Sequence, residues 1–208
     1  MPCFTLQGFK QATGMEDPHQ VRMLLHRWAK VGHIIPIKKG IYMPKRFHDL
    51  HSRDENFLPA VSAILLPQSY LSLEFILQQN VVLAEVTYPV TAVTFKNTRR
   101  VVNRLGTFWY RNLRSALYHG FTISEYFGIP IARASLSKAL FDTLYLRPLA
   151  SVQLENINLA EELRLNLDEF STTDREEFAA YVEESHNHKM QRIYQNFRST
   201  VWQHSSSS

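Results

Sequence analysis

The side chains best suited to chemistry lie close together near the N-terminus: His19, Gln20, Arg22, Met23, His26, Arg27 and Lys30, then Lys38 and Lys39 before Gly40. At about 100° per residue His19, Arg22, Met23, His26, Arg27 and Lys30 fall on one side of a helix, while Val21, Leu24, Leu25, Trp28 and Ala29 fall on the other. One face packs and the other is free to touch a partner. Long cationic and amide side chains reach base edges in a major groove, where Arg suits guanine and Gln suits adenine. Lys38 and Lys39 need only neutralise phosphate. The predicted chemistry is recognition of duplex DNA, with no bond made or broken.

A second basic stretch follows later in the chain. Between Glu85 and Glu125 there is no acidic residue, yet Lys96, Arg99, Arg100, Arg104, Arg111 and Arg114 are present, interleaved with Phe108, Trp109 and Tyr110. Arginines tracking phosphate beside aromatic faces that stack on unpaired bases would make an RNA surface. The competing reading makes the aromatics the core of a sheet and the arginines its solvent face. We expect core burial for the aromatics and a phosphate or RNA contact for the arginines.

Catalytic patterns are not found. The sequence contains no Walker loop, no Gly-x-Ser-x-Gly, no His-Glu-x-x-His and no Glu-x-Lys nuclease triplet. His186-Asn187-His188 spells a nuclease-like triplet, but its helical, acidic surroundings predict a polar junction between helices. A single cysteine, Cys3, excludes an internal disulfide or a cysteine zinc cluster and reads as a buried or inert thiol. The expectation is a protein that is not an enzyme, with no metal and no cofactor.

Charge and hydropathy narrow the partner. Residues 1–53 carry nine Lys/Arg against three Asp/Glu, residues 54–150 nine against six, and residues 151–208 five against ten. A basic head and an acidic tail favour a polyanion at the head. No apolar run reaches the roughly 18 residues of a membrane span, and the N-terminus lacks a signal-peptide pattern. A reducing cytoplasm is the expected compartment, with no membrane partner.

These side chains need elements to hold them. Thr5 is a candidate N-cap for a first helix ended by Gly14, and Asp17-Pro18 opens a second that stops at Val31-Gly32. Ile34-Ile35 and Ile41-Tyr42 flank Lys38-Lys39-Gly40 and predict a hairpin with cations at its tip. Helices are expected over 56–66, from about Tyr70 to Gln79, and over 136–146; strands over 90–95, 107–113 and 129–134. The tail predicts helices over 152–163, 173–184 and 189–202, with a capping box from Thr173 to Glu176. Helix, turn, helix and basic hairpin together are the layout of a winged helix. The fold class is therefore α+β: a winged helix over 1–53, a mixed α/β domain over 54–150 and an acidic helical extension over 151–208.

Five stretches, in order, resemble the AbiEi-type antitoxins of type IV toxin-antitoxin systems: "VRMLLHRWAKVGHIIPIKKGIYMP" with its Gly40-Ile41-Tyr42 ending, "SYLSLEFIL", "PVTAVTFKNTRR", "LGTFWYRNL" and "SLSKALFDTLYL". They run through most of residues 4–147. Gln78, Gln79 and Asn80 depart from the family's small residue and glycine, and the chain begins at the second of the usual three winged-helix helices. The resemblance implies a bacterial transcriptional repressor of its own operon, binding its own promoter. It also implies a nucleotidyltransferase-like toxin that is countered without a stable complex. The alternative is a stand-alone regulator, or an RNA-contacting module, that lacks a toxin partner.

Overall fold

The computed structural model describes residues 2–84, 89–148, 157–168 and 170–203. In chain order these form β1 (Phe4–Thr5), α1 (Leu6–Thr13), α2 (Pro18–Val31), β2 (Ile34–Lys38), β3 (Ile41–Pro44), α3 (Lys45–His51) and α4 (Phe57–Leu65). There follow β4 (Ser69–Leu71), α5 (Glu74–Gln79), β5 (Val90–Thr94), β6 (Arg99–Asn103), β7 (Gly106–Asn112), β8 (Phe121–Tyr126), β9 (Ile129–Ala134) and α6 (Leu136–Leu146). The described part of the tail adds α7 (Leu159–Glu162), α8 (Thr172–Ser185) and α9 (His188–Ser199). The architecture is mixed α+β.

Local chemistry sets the boundaries at the head. The Thr5 side chain accepts from Gly8 N, and the Asp17 side chain accepts from His19 N with Pro18 opening α2, so each helix starts where an orphan N–H finds an oxygen. Both helices end at a glycine in the left-handed region, Gly14 (φ 69°) and Gly32 (φ 91°), a conformation that costs a Cβ-bearing residue energy. Strand β3 lies between β1 and β2 in a three-stranded antiparallel sheet. Two-residue β1 carries no sequence periodicity. It exists because Phe4 lies opposite Tyr42 and their rings stack at 5.7 Å. Phe9 meets Trp28 edge to face at 5.5 Å over the buried side chains of Val21, Leu25 and Ile34.

The second sheet has six strands in the order β6-β7-β5-β4-β9-β8, with parallel contacts at β5/β7 and β4/β9. Every residue of β5 is buried, because helices cover both of its faces. On one face Tyr110 donates its hydroxyl proton to the Ser62 carbonyl of α4 at 3.0 Å; on the other Phe75 N of α5 donates to Thr91 Oγ1 at 3.0 Å. The outermost strands, β6 and β8, are the exposed edges.

Several expected elements shift. The helix expected from Tyr70 splits into strand β4 and a short α5, because Tyr70 and Leu71 pair with Val93 and Ala92. Strands β6 and β8 and helix α3 were not legible as separate elements. The capping box of α8 is Ser171 with Asp174 rather than Thr173 with Glu176. The helix expected over 152–163 falls partly on residues outside the described set, and among the described residues of that range Leu159–Glu162 is helix.

The three predicted segments share a core. Ile35, Ile37 and Met43 of the head, β5 and β7, and Phe178, Ile193, Phe197 and Trp202 of the tail belong to one continuous apolar cluster. The separate core under α2 contains three fully packed residues, and each contributes about 1.5–3 kcal/mol. That is too little to hold 53 residues alone, so the head leans on α4 and on the six-stranded sheet.

Candidate nucleic-acid interface

Helix α2 is amphipathic as its spacing predicts. Val21 and Leu25 are fully buried, whereas His19, Gln20, Arg22, Met23, His26, Arg27 and Lys30 are all exposed. His19, Arg22, Met23 and His26 line a cleft of about 510 Å³ that the β2–β3 hairpin closes with Lys38, Lys39 and Gly40. A second cleft of about 510 Å³ shares His26, Ala29 and Pro36 with the first and continues to Lys30, Asn103 and Arg104. No carboxylate lines either cleft. Gln20 and Arg27 lie on the flank of the polar arc, outside both.

The two lysines of the hairpin differ. Lys38 Nζ donates to the Ile64 and Leu65 carbonyl oxygens, at 2.6 and 3.3 Å, where α4 ends and its carbonyls have no helical partner. Partial burial pushes its ammonium below the usual lysine range. Lys39 at the tip is exposed. Lys38 is the last residue of β2, whereas Lys39 belongs to the turn that follows it. Gly40 supplies the left-handed turn (φ 78°) between the strands.

The six cations of the second basic stretch do not form a single surface. Arg99 and Arg100 are consecutive in β6 and therefore point to opposite faces, Arg99 beside Tyr110 and Arg100 beside Trp109. Arg104, in the β6–β7 turn, joins the cleft of α2. The Asn103 side chain fixes that turn by donating to Ile37 O at 3.1 Å and accepting from Leu105 N at 2.8 Å. Arg111 donates to Leu146 O at 3.3 Å, and Arg114 donates to Ser185 O with its guanidinium 5.9 Å from the Tyr145 ring. Lys96 lies 4.9 Å from the Phe95 ring. Arg114 is thus a strut for the tail, while Arg104 and Arg100 face outward. Of the aromatics, Phe108 and Tyr110 are core residues and Trp109 is 40% exposed.

One polar constellation escaped the reading of the sequence. Lys138 and Asp142 of α6 are both fully buried, with Nζ 2.7 Å from Oδ1. Tyr70 and Ser72 donate to Asp142 Oδ2 at 2.9 and 2.8 Å, and Lys138 also donates to Leu117 O at 2.9 Å. Burial pushes the Asp142 carboxyl up and the Lys138 ammonium down, against the attraction between them. The cluster ties α6 to β4 and to the turn before β8. A Lys and an Asp four apart in the otherwise uncharged "SLSKALFDTLYL" was the available signal. His186-Asn187-His188 is a helix junction: His186 ends α8 in the left-handed region (φ 48°), and the Asn187 side chain caps α9 by accepting from Met190 N. Cys3 is half-buried, and burial pushes its thiol up.

The chain matches no model of a known protein family, and no curated protein matches it. No described helix is long and apolar enough to cross a membrane.

Proposed function

We propose that the chain is a duplex-DNA-binding regulator whose head is a winged helix, with α2 as the reading helix and the β2–β3 hairpin as the wing. The observation that carries this reading is the pair of contiguous, carboxylate-free clefts along α2, bordered by Arg22, His26, Lys30, Lys39 and Arg104. A groove between a cationic helix and a hairpin suits a phosphate backbone, and exposed Arg22 and Gln20 suit base edges. The strand order β1-β3-β2 beside a helix pair fits the same reading. Helix α4, gripped by Lys38, braces the hairpin from behind.

The role of autorepressing antitoxin, against a nucleotidyltransferase-like toxin countered without a stable complex, follows from the resemblance of the five stretches. In that role the chain binds its own promoter and is cytoplasmic. The clefts extend the reading in one respect: Arg104, from beyond the head, adds a flanking phosphate contact.

The test is binding of the full chain to the DNA upstream of its reading frame. Arg22→Ala is expected to lose about 1–3 kcal/mol on the specific site. Arg104→Ala is expected to weaken all sequences alike and lower the salt slope by about one. Wild-type affinity in Arg22→Ala, Gln20→Ala and Lys30→Ala together would overturn α2 as the reading helix. Co-expression with a neighbouring toxin-like reading frame tests the antitoxin role through cell survival.

A further inference from the structure

The outer face of β6 and β7 carries an aromatic platform next to a cationic cleft. Directly opposed residues of an antiparallel pair share a face, so Arg100 sits with Trp109 and Val102 with Thr107. Trp109 is 40% and Val102 63% exposed, and the Arg100 guanidinium lies 5.7 Å from the indole. Arg111, two residues along β7 and so on the same face as Trp109, lines a cleft of about 220 Å³ with Arg147, Glu74 and Thr143. Leu73 forms its rim with φ 61° and ψ −146°, a backbone conformation that L-residues avoid.

We infer that this face binds single-stranded RNA, with an unpaired base on Trp109 and the attached ribose phosphate in the Arg111–Arg147 cleft. Ligand pockets for whole small molecules take roughly 300–1,000 Å³. A cleft of about 220 Å³ therefore holds part of a ligand, and the base remains outside, where the indole lies. Arg100, Arg111 and Arg147 outnumber the one carboxylate of this face, Glu74, and so favour a polyanion. The aromatic face selects an unpaired base, since paired bases in a duplex expose no ring face. The Glu74 carboxylate beside two guanidiniums can accept from a 2′-hydroxyl, the group that separates RNA from DNA. The Arg100 guanidinium lies over the indole, so the base takes the part of the ring that Arg100 leaves open and Arg100 stands beside its phosphate.

This site is distinct from the clefts of α2 and does not depend on the duplex-binding reading. The probe is a mixed-sequence 12-nucleotide RNA containing 4-thiouridine, with the DNA of the same sequence and a duplex DNA as parallel arms, all titrated onto the full chain. Binding of the RNA is expected to quench tryptophan fluorescence, and photo-crosslinks are expected to map to β7. Trp109→Ala is expected to weaken RNA about 10- to 100-fold and leave duplex affinity unchanged, while Trp109→Phe keeps most of the affinity. Arg111→Ala with Arg147→Ala is expected to lower the salt slope for RNA by about one to two. No RNA binding by the wild type, as a face reserved for a protein partner would give, overturns the proposal. So do wild-type affinity in Trp109→Ala, crosslinks confined to α2, or equal affinity for the DNA strand. If Trp109→Ala unfolds, the crosslink map and the Trp109→Phe affinity decide.

Discussion

Lys38 Nζ stands 2.6 Å from the Ile64 carbonyl oxygen, so a lysine that the sequence offers to phosphate is tied to the end of α4. Its neighbour Lys39 is left at the exposed tip of the hairpin. Adjacent lysines therefore have separable roles. Lys38→Ala is expected to cost about 1 kcal/mol, since a partly exposed charged hydrogen bond at a helix C-terminus is discounted by solvent, and to lower Tm by about 2–4 °C. Lys39→Ala is expected to leave Tm unchanged and to reduce the salt slope of duplex binding by about one. Thermal melts and salt-dependent anisotropy on both variants would refute the partition if the two substitutions behaved alike.

The buried cluster around Asp142 predicts an asymmetric mutational response. Asp142→Leu orphans Lys138 and strips an acceptor from both Tyr70 and Ser72, and is expected to cost about 3–5 kcal/mol. Lys138→Met leaves Asp142 with both hydroxyl donors and with a carboxyl that burial already pushes towards its neutral form, and is expected to cost less. The double variant is expected to be more stable than the sum of the single losses, because an apolar pair leaves no buried charge. Urea denaturation of the three variants checks this; strict additivity would mean that the two groups do not act as a pair.

Acid stability provides a third test. Asp54 accepts hydrogen bonds from Tyr126 Oη at 2.7 Å and from His51 at 2.8 Å, which hold its carboxyl below the usual value of 3.8, the Tyr126 bond being the larger cause. A carboxylate depressed in the folded state adds stability above its unfolded value and loses it as pH falls through the folded one. The gain is thus present at neutral pH and disappears below about pH 4. Tyr126→Phe is expected to be less stable than wild type at pH 6, with the gap narrowing as the pH is taken towards 2. A gap that stays constant over that range in chemical denaturation would remove Asp54 from the linkage.

Legibility in the sequence followed the range of the interaction. Helix α2 was readable to its ends because Asp17, Pro18 and Gly32 act within one turn of the residues they cap, and because its polar arc repeats with the helical period. Helix α6 was readable for the same reasons, with Ser135 capping Lys138 N. The helix expected from Tyr70 failed because "SYLSLEFIL" is mostly apolar, and a short, largely apolar run cannot by itself separate a strand from a helix. Pairing with β5 decided it. Edge strands β6 and β8 were missed for a different reason: consecutive residues on both faces are exposed, so they lack the apolar alternation that marks a half-buried strand.

The sequence by itself determined the polar face of α2, the hairpin that follows it and the division of charge between head and tail, since each depends on neighbours a few residues apart. Only the tertiary structure decided which cations are available. It joined Arg104 to the α2 cleft, gave Lys38 to α4 and Arg114 to the tail, turned Arg99 and Arg100 to opposite faces, and buried Lys138 with Asp142. The reason is that a side chain's spacing in the chain fixes its direction on an element, whereas its partner is fixed by how elements distant in sequence pack. Burial then converts that packing into either a structural tie or an open charge.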